Sequence, residues 1–567
     1  MRPDTGFRAA LTSILGLGLG LSVSACASLP DAGFGHEERS VYGSYLAARY
    51  AGSSRDLEAS SELYAQALDR APDSTLISQR AFFAALVAGD FDRADQVAEQ
   101  AANDPETAQI AGIYWRALSL GRGREPVELE NNAVGVFSNL VTDILQDWDA
   151  IARGQEVSWA QSDISLATPQ TPSAEHWLHR ALVLEHLGQD EAADAAYQNA
   201  RAGMPGLITF NTLMYGAFLE RQGRVDAARS LYEEALEIRS VERPDVEAAL
   251  ARLDHGGRPP RFPRAREAAA RALFPPASIV SNRAGGEYTV LFLRVIQRLD
   301  PNFHYNTLTI AQMLDSLDLQ EAALAEYAKI DDGPLYEGAR VNRIWLQFRM
   351  EERESLVDEA RALVEQSPTI PHQLLLADML RVTDRCSDAI PIYAHVVEQA
   401  REERGEADWR YVFYQAACTE IVEGWDVAEP LFEHTLEQAP DEPLVLNHLG
   451  YNLIVKGEQL ERGLRMVQRA VSLDPSNGAI TDSLGWGHYK LGNLRDAIYW
   501  LERAVTLSPD SATNNWHLGD AYAAAGRQLE AEFQWRRALE LDLDEGEREL
   551  IERRLELGLD AGPPDLP

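Results

Sequence analysis

Residues 484–509 read LGWGHYKLGNLRDAIYWLERAVTLSP, with LGDAYAAAGRQLEAEFQWRRA following at 518–538 and LGYNLIVKGEQLERGLRMVQRAVSLDP preceding at 449–475. The pairs Leu449-Gly450, Leu484-Gly485 and Leu518-Gly519 set their glycines 35 and then 34 residues apart. The same beats follow each pair: Gly492, Ala497, Leu501, Ala504 and Pro509, then Gly526, Ala531, Trp535 and Ala538. After Gly450 come Gly457, Gly463, Val467, Ala470 and Pro475, with one extra residue in the turn. A fixed period of this size marks stacked supersecondary units. Trp516, Leu518-Gly519 and Tyr522 keep bulky and small residues on one helical face at steps of three and four. Gly and Ala remove bulk where helices meet, so axes approach the short end of ~8–10 Å. Gly492 and Gly526 stand where the first helix of a pair must stop and turn. Pro475 and Pro509 end the second helix, because proline lacks the N–H that a continuing helix needs. One such pair cannot bury its apolar face alone, so the pairs must stack.

With the phase known, weaker copies emerge upstream. Trp177, Leu184, Gly188, Ala193, Tyr197, Ala200 and Pro205 make one, and Gly216, Leu219, Gly223, Ala228, Tyr232 and Ala235 the next. Ala311, Leu314, Ala323 and Tyr327 make another, as do Ala377, Leu380, Ala389 and Tyr393. The pattern resembles the tetratricopeptide (TPR) family over most of residues 41–545, most closely over 440–540. That resemblance implies an all-α chain, a TPR α-α superhelix or solenoid of roughly ten or more helix pairs in two lobes. The expected organisation is a signal peptide at 1–25, a tether at 26–40 and an N-terminal lobe at 41–255. A Pro/Gly/Arg-rich linker or irregular crossover follows at 256–286. A C-terminal lobe runs over 287–545, and a terminal helix and tail over 546–567. The stripe Tyr288, Leu291, Phe292, Val295, Ile296 and Leu299 reads as the amphipathic opening helix of the second lobe.

Arg2 and Arg8 give a basic start, and Ala9 to Val23 is an apolar run too short to span a bilayer. It ends in Val23-Ser24-Ala25-Cys26, which is similar to a bacterial lipobox. That resemblance implies lipidation of Cys26 and cleavage before it. Ala27, where an Asp would favour inner-membrane retention, points the expectation to the outer membrane, periplasmic face. The body is read as hanging in solution from a short tether.

The chain holds 52 basic and 89 acidic residues, a net charge of −37. Phosphate contact needs basic surface, so nucleic-acid binding is not expected. The acidity serves solubility on one reading and selection of a basic partner on the other. Six arginines cluster within this acidic chain: Arg252, Arg258, Arg261, Arg264, Arg266 and Arg271. They read either as an internally paired segment or as a docking patch for an acidic partner, with Arg258, Arg261, Arg264 and Arg266 as its candidates. Cys386 and Cys418 fall in adjacent helix pairs; the reading favours small buried residues over a disulfide, whose geometry spacing cannot test.

Catalytic constellations are absent from the pattern: there is no P-loop, HExxH or CxxC. His176, His179 and His186 would lie within about 80° of one another on a helix with a ~100° step. Their register also suits groove-facing or solvated histidines, and no metal or cofactor is expected. Residues 539–567 are too few for the glycosyltransferase domain that follows some such arrays, so the chain is read as not an enzyme.

In TPR arrays the first helix of each pair lines the concave face. On it stand Asn447, Tyr451, Asp482, Trp486, Tyr489, Trp516 and Asp520, read as exposed aromatic and polar groups suited to peptide recognition. Lipobox and array together resemble Gram-negative outer-membrane lipoproteins, some of which are adaptors for periplasmic carboxyl-terminal-processing proteases. The resemblance implies a scaffold that brings such a protease to cell-wall hydrolases. The alternative is an envelope-assembly factor for outer-membrane protein insertion, polysaccharide export or secretion.

Overall fold

The computed structural model describes residues 40–102, 108–122, 135–157, 174–203, 205–238, 243–277, 286–351, 354–405, 407–457, 459–541, 543 and 545–561. Among these residues the chain forms 28 α-helices and no strand. It divides into two units, Met1–Glu352 and Arg353–Pro567.

The first unit holds α1 (Val41–Ser53), α2 (Leu57–Arg70), α3 (Thr75–Ala88), α4 (Phe91–Ala102), α5 (Ala108–Ser119), α6 (Gly135–Ala152), α7 (Ala174–His186) and α8 (Asp190–Gly203). It continues with α9 (Ile208–Arg221), α10 (Val225–Leu236), α11 (Arg243–Asp254), α12 (Ala265–Leu273), α13 (Gly286–Leu299), α14 (His304–Ser316), α15 (Gln320–Tyr327) and α16 (Tyr336–Glu351). The second unit holds α17 (Glu354–Gln366), α18 (Ile370–Val382), α19 (Cys386–Arg404), α20 (Trp409–Glu423), α21 (Trp425–Gln438) and α22 (Pro443–Val455). Then come α23 (Leu460–Leu473), α24 (Gly478–Lys490), α25 (Leu494–Leu507), α26 (Ala512–Ala524), α27 (Gln528–Leu539) and α28 (Glu545–Leu557).

Local chemistry starts and stops these helices where the repeat requires. The Asn477 side-chain oxygen accepts from the Ala479 and Ile480 N–H groups at 3.1 and 3.2 Å. Ser511 does the same for the Asn514 N–H at 3.2 Å. Each satisfies a donor that the first helical turn leaves orphaned. Gly492 and Gly526 both turn at φ +75°, the left-handed region expected of them. The expected small residues sit at the tightest contacts within a pair. A Cβ on Gly485 would fall 2.6 Å from Leu501 Cγ, and one on Gly519 would fall 2.5 Å from Trp535 Cδ1.

The first unit departs from the expected plan. The division between units comes at Glu352 and Arg353, not within the expected linker or irregular crossover at 256–286. Helix α12 packs on α6 and α7, and α13 packs on α3, α5, α12 and α14. The reason is composition: Ala268, Ala269, Ala270, Ala272 and Leu273 are all fully buried, and so small a helix fits between larger ones. Helix α13 is buried on nearly every side, including Arg294 and Gln297, and lies within the first unit rather than opening a second one.

Arg294 is tolerated there because its charge is met. Its Nη1 pairs with Glu326 and donates to Gln297 Oε1 at 2.8 Å, while Nη2 donates to the Val87 carbonyl at 3.1 Å. Gln297 Nε2 and Lys329 Nζ also reach Glu326, at 2.8 and 2.6 Å. Burial works to raise the Glu326 carboxyl, yet Arg294 and Lys329 outweigh it and hold the group below its ordinary range. Val87 lies in the last turn of α3, so Arg294 also meets a C-terminal helix carbonyl.

In the second unit Cys386 and Cys418 form a disulfide, with Cα atoms 4.9 Å apart. This corrects the reading of two separate buried thiols. The start of α19 and the last turns of α20 come side by side because consecutive helices run antiparallel, which spacing alone does not convey.

Two outcomes are expected. Gly519→Ala forces a methyl against the fully buried Trp535 ring and should cost about 1–3 kcal/mol, the usual range for overpacking, read as a lower urea midpoint. Reducing the Cys386–Cys418 bond should destabilise the second unit by about 2–4 kcal/mol. Thermal unfolding with and without reductant, with a Cys386→Ser/Cys418→Ser chain as control, checks this.

Candidate protein-binding groove

Within the second unit the first helices of successive pairs, α22, α24 and α26, pack on one another. The second helices α23, α25 and α27 show no comparable mutual packing. A stack whose first helices converge must bend with those helices on the inner face. All seven expected groove residues stand on them: Asn447 and Tyr451 on α22, Asp482, Trp486 and Tyr489 on α24, Trp516 and Asp520 on α26.

They are brought together, but most are not exposed, which corrects the expectation. Trp486 is 6 % exposed, Trp516 4 %, Asp482 4 % and Asp520 1 %. Tyr451, Tyr489 and Asn447 are half-buried. The cause is stacking across the repeat. The Trp486 ring lies 3.9 Å from the His517 ring and 4.7 Å from Tyr489, both at 15° to its plane, and Trp516 meets it edge-on. Asp482 Oδ2 pairs with His517 Nδ1 at 2.7 Å, joining α24 to α26. Asp520 Oδ1 accepts from Trp535 Nε1 at 3.0 Å. Burial pushes the Asp520 carboxyl above its ordinary range, although Arg554 and His517 pull it down. Asp482 Oδ1, Trp516 Nε1 and His517 Nε2 are buried with no hydrogen-bond partner among the described residues.

The last helix reaches this layer through a buried arginine. Arg554 on α28 is buried and brings Nη2 to 3.2 Å from Asp520 Oδ2, a charge contact without hydrogen-bond alignment. The same guanidinium acts on Tyr489 and Lys490 of α24. At the other end of α28, the Glu547 carboxylate is close enough to help burial and Asp482 raise the Tyr451 hydroxyl on α22. Helix α28 packs on α27 and reaches Asp520 of the inner layer through Arg554. Its Ile551 is fully buried in the same apolar cluster as Leu453, Trp486 and Trp516, with Leu555 packed against it.

Sequence reasoning placed only a terminal helix and tail at 546–567 and so missed Arg554, Leu550 and Ile551. The signal was present: Leu550, Ile551, Arg554 and Leu555 share one face of an otherwise charged helix. His517 was also missed, though it stands 35 residues after Asp482, one repeat on.

The arginine segment is paired internally. Arg252 reaches Glu220 at 2.6 Å, and Arg261 reaches both oxygens of Glu267 at 2.7 Å. Arg271 pairs with Asp300 at 2.8 Å. Arg266 donates to the Ala117, Leu120 and Arg298 carbonyls at 3.0, 3.4 and 3.2 Å, closing the C-terminal ends of α5 and α13. Burial, with Arg122 and Arg298 nearby, pushes its guanidinium down to about 10. Arg264 stands at the start of α12, where its N–H donates to Glu267 at 2.9 Å, and Arg258 is exposed. The six are therefore not one open docking surface; four of them hold the first unit together.

His179 Nε2 lies 3.0 Å from Asp147, and His186 packs between Trp148 and Phe262. Among the described residues no group of three or more His, Cys, Asp or Glu is placed to hold a metal, and no helix is long and apolar enough to cross a membrane. Cys26 and the signal segment lie outside the described residues.

A family model described as "TPR repeat" matches residues 488–526, which run from the end of α24 to the turn after α26. A curated Pseudomonas aeruginosa protein named TPR repeat-containing protein PA4667 is 26% identical over 186 residues. That match takes in 32% of this chain and only 30% of the relative's own length. Among solved structures, that of the APC/C hetero-tetramer Cut9-Hcn1 is 13% identical at a TM-score of 0.40, over 91% of this chain and 95% of that one. Yeast Tom70 is 11% identical at 0.34, over the same shares. The helix pairs described above, rather than these superpositions, carry the fold.

One pH dependence follows from the arginine segment. The Arg261 bond and the Arg264 N–H, working against burial, hold the Glu267 carboxyl at about 2, below its ordinary 4.5. A depressed carboxyl stabilises the fold above the unfolded value and loses that effect as pH falls through the folded one. Glu267→Gln should therefore lower the urea midpoint at pH 7, and the gap to the parent chain should close between pH 4.5 and 2.

Proposed function

We propose that this chain is a non-enzymatic scaffold, anchored by lipid on Cys26 to the periplasmic face of the outer membrane, that holds a periplasmic protease beside its substrates. Repeat arrays of this type generally bind other proteins, through the concave surface that stacking creates. The observation that carries the reading here is the inner layer of α22, α24 and α26. It gathers Tyr451, Asp482, Trp486, Tyr489, Trp516 and Asp520 on one face, and aromatic groups beside buried polar ones are what protein recognition uses.

The lipobox-like Val23-Ser24-Ala25-Cys26 supports the anchor. Acyl chains gain about 0.8 kcal/mol per buried methylene, so more than one chain holds durably. Tethering two partners to one surface raises their mutual concentration without any new contact between them. The net charge of −37 suits partners that present basic surface. The resemblance to adaptor lipoproteins supports a carboxyl-terminal-processing protease as the first partner and cell-wall hydrolases as the second.

Crosslinking in intact envelopes, followed by recovery of the full chain and mass spectrometry, tests this. A protease and a hydrolase should be recovered together, and Cys26→Ala should release the chain from the membrane fraction. Recovery of barrel-assembly or secretion components alone would overturn the proposal in favour of an envelope-assembly role.

A further inference from the structure

The geometry points to a groove that is held shut from within: α28 lies as a ligand in cis, and the outside partner is an amphipathic helix that carries an arginine. This deepens the scaffold reading and rests on it.

Three observations carry it. First, the inner-face residues Asp482, Trp486, Trp516 and Asp520 are buried, and Arg554 of α28, itself buried, brings Nη2 to 3.2 Å from Asp520 Oδ2. Second, its contacts have the form of peptide recognition. Leu550 and Ile551 are buried, Ile551 among the Trp486 and Trp516 cluster, and Arg554 meets the buried Asp520 carboxylate. An apolar anchor next to a charge met in a dry pocket is how interfaces concentrate their energy. Third, α28 is an incomplete ligand. Asp482 Oδ1 and Trp516 Nε1 stay buried without a hydrogen-bond partner among the described residues, and the Arg554–Asp520 contact is unaligned. A buried polar group left unmet costs free energy that a better-matched occupant recovers.

A partner helix with the same Leu-Ile-x-x-Arg face, and polar side chains that reach Asp482 and Trp516, would therefore displace α28. The groove floor offers two carboxylates, Asp482 and Asp520, which selects a basic residue at this position. Occupation in cis also sets a threshold. At an effective concentration on the order of millimolar, a peptide with a micromolar intrinsic Kd is weakened about 100-fold or more in apparent affinity.

The test uses the full chain and a fluorescent synthetic peptide of residues 543–561. Arg554→Glu in the chain sets two carboxylates against each other and should unlatch α28. The labelled peptide should then bind this variant at least about tenfold more tightly than the parent chain, as expected when an internal competitor is removed. A peptide carrying Arg554→Glu should bind neither. Equal affinity for both chains, or binding to neither, overturns the inference. So does loss of helicity across the second unit in the variant, which would make α28 a structural cap only. Hydrogen exchange on the parent chain gives an independent check. Excess peptide should speed exchange within 545–557 and leave α25 and α27 unchanged; no change in 545–557 also overturns it. If the envelope crosslinking recovers protease and hydrolase while these binding tests fail, the scaffold stands and only the internal latch falls.

Discussion

The close approach of the two helices within a pair is the constraint on which the rest depends. At Gly485 and Gly519 there is no room for a side chain, because Leu501 and Trp535 fill the space. That contact sets the interaxial distance, and the distance sets how far each first helix leans toward the next. Once α22, α24 and α26 converge, their outward residues share one face. Asp482 can then reach His517, and Trp486 can stack on it. The inner layer is thus a consequence of packing on its opposite side.

The first unit meets a different problem with arginine. Its helices α12 and α13 lie against the ends of α3 and α5, where carbonyls have no partner within their own helices. Arg294 and Arg266 supply donors to Val87, Ala117 and Leu120. Buried guanidinium groups are costly unless they are met by charge and by hydrogen bonds. Glu326 with Gln297 does this for Arg294, and Asp95 with Arg298 lies beside Arg266. An arginine-rich stretch in an acidic chain is therefore structural here to a large extent, and its charge is spent inward.

The two units also differ in how their sequence could be read. In the C-terminal pairs each position repeats at 34 or 35 residues, so helix limits, turns and small contacts were all legible. Helix α28 was legible as a helix over 545–557. Its destination was not, because a face of Leu550, Ile551 and Arg554 suits either a neighbouring repeat or a groove. In the first unit α12 and α13 follow no repeat, and proline and glycine pairs around them looked like a boundary. The disulfide was illegible for a similar reason: Cys386 and Cys418 become neighbours only through the turn between α19 and α20.

By itself the sequence determined the all-α class, the helix pairs, the turns at Gly492 and Gly526, and which residues share the inner face, because these follow from spacing along one or two adjacent helices. Tertiary structure alone decided that α12 and α13 belong to the core of the first unit, that the arginines close helix ends, and that Arg554 of α28 meets Asp520. Those outcomes depend on which distant surface is left unpaired after the repeats have stacked. Local period carries no term for that, since burial is settled by the whole unit and not by any one turn of helix.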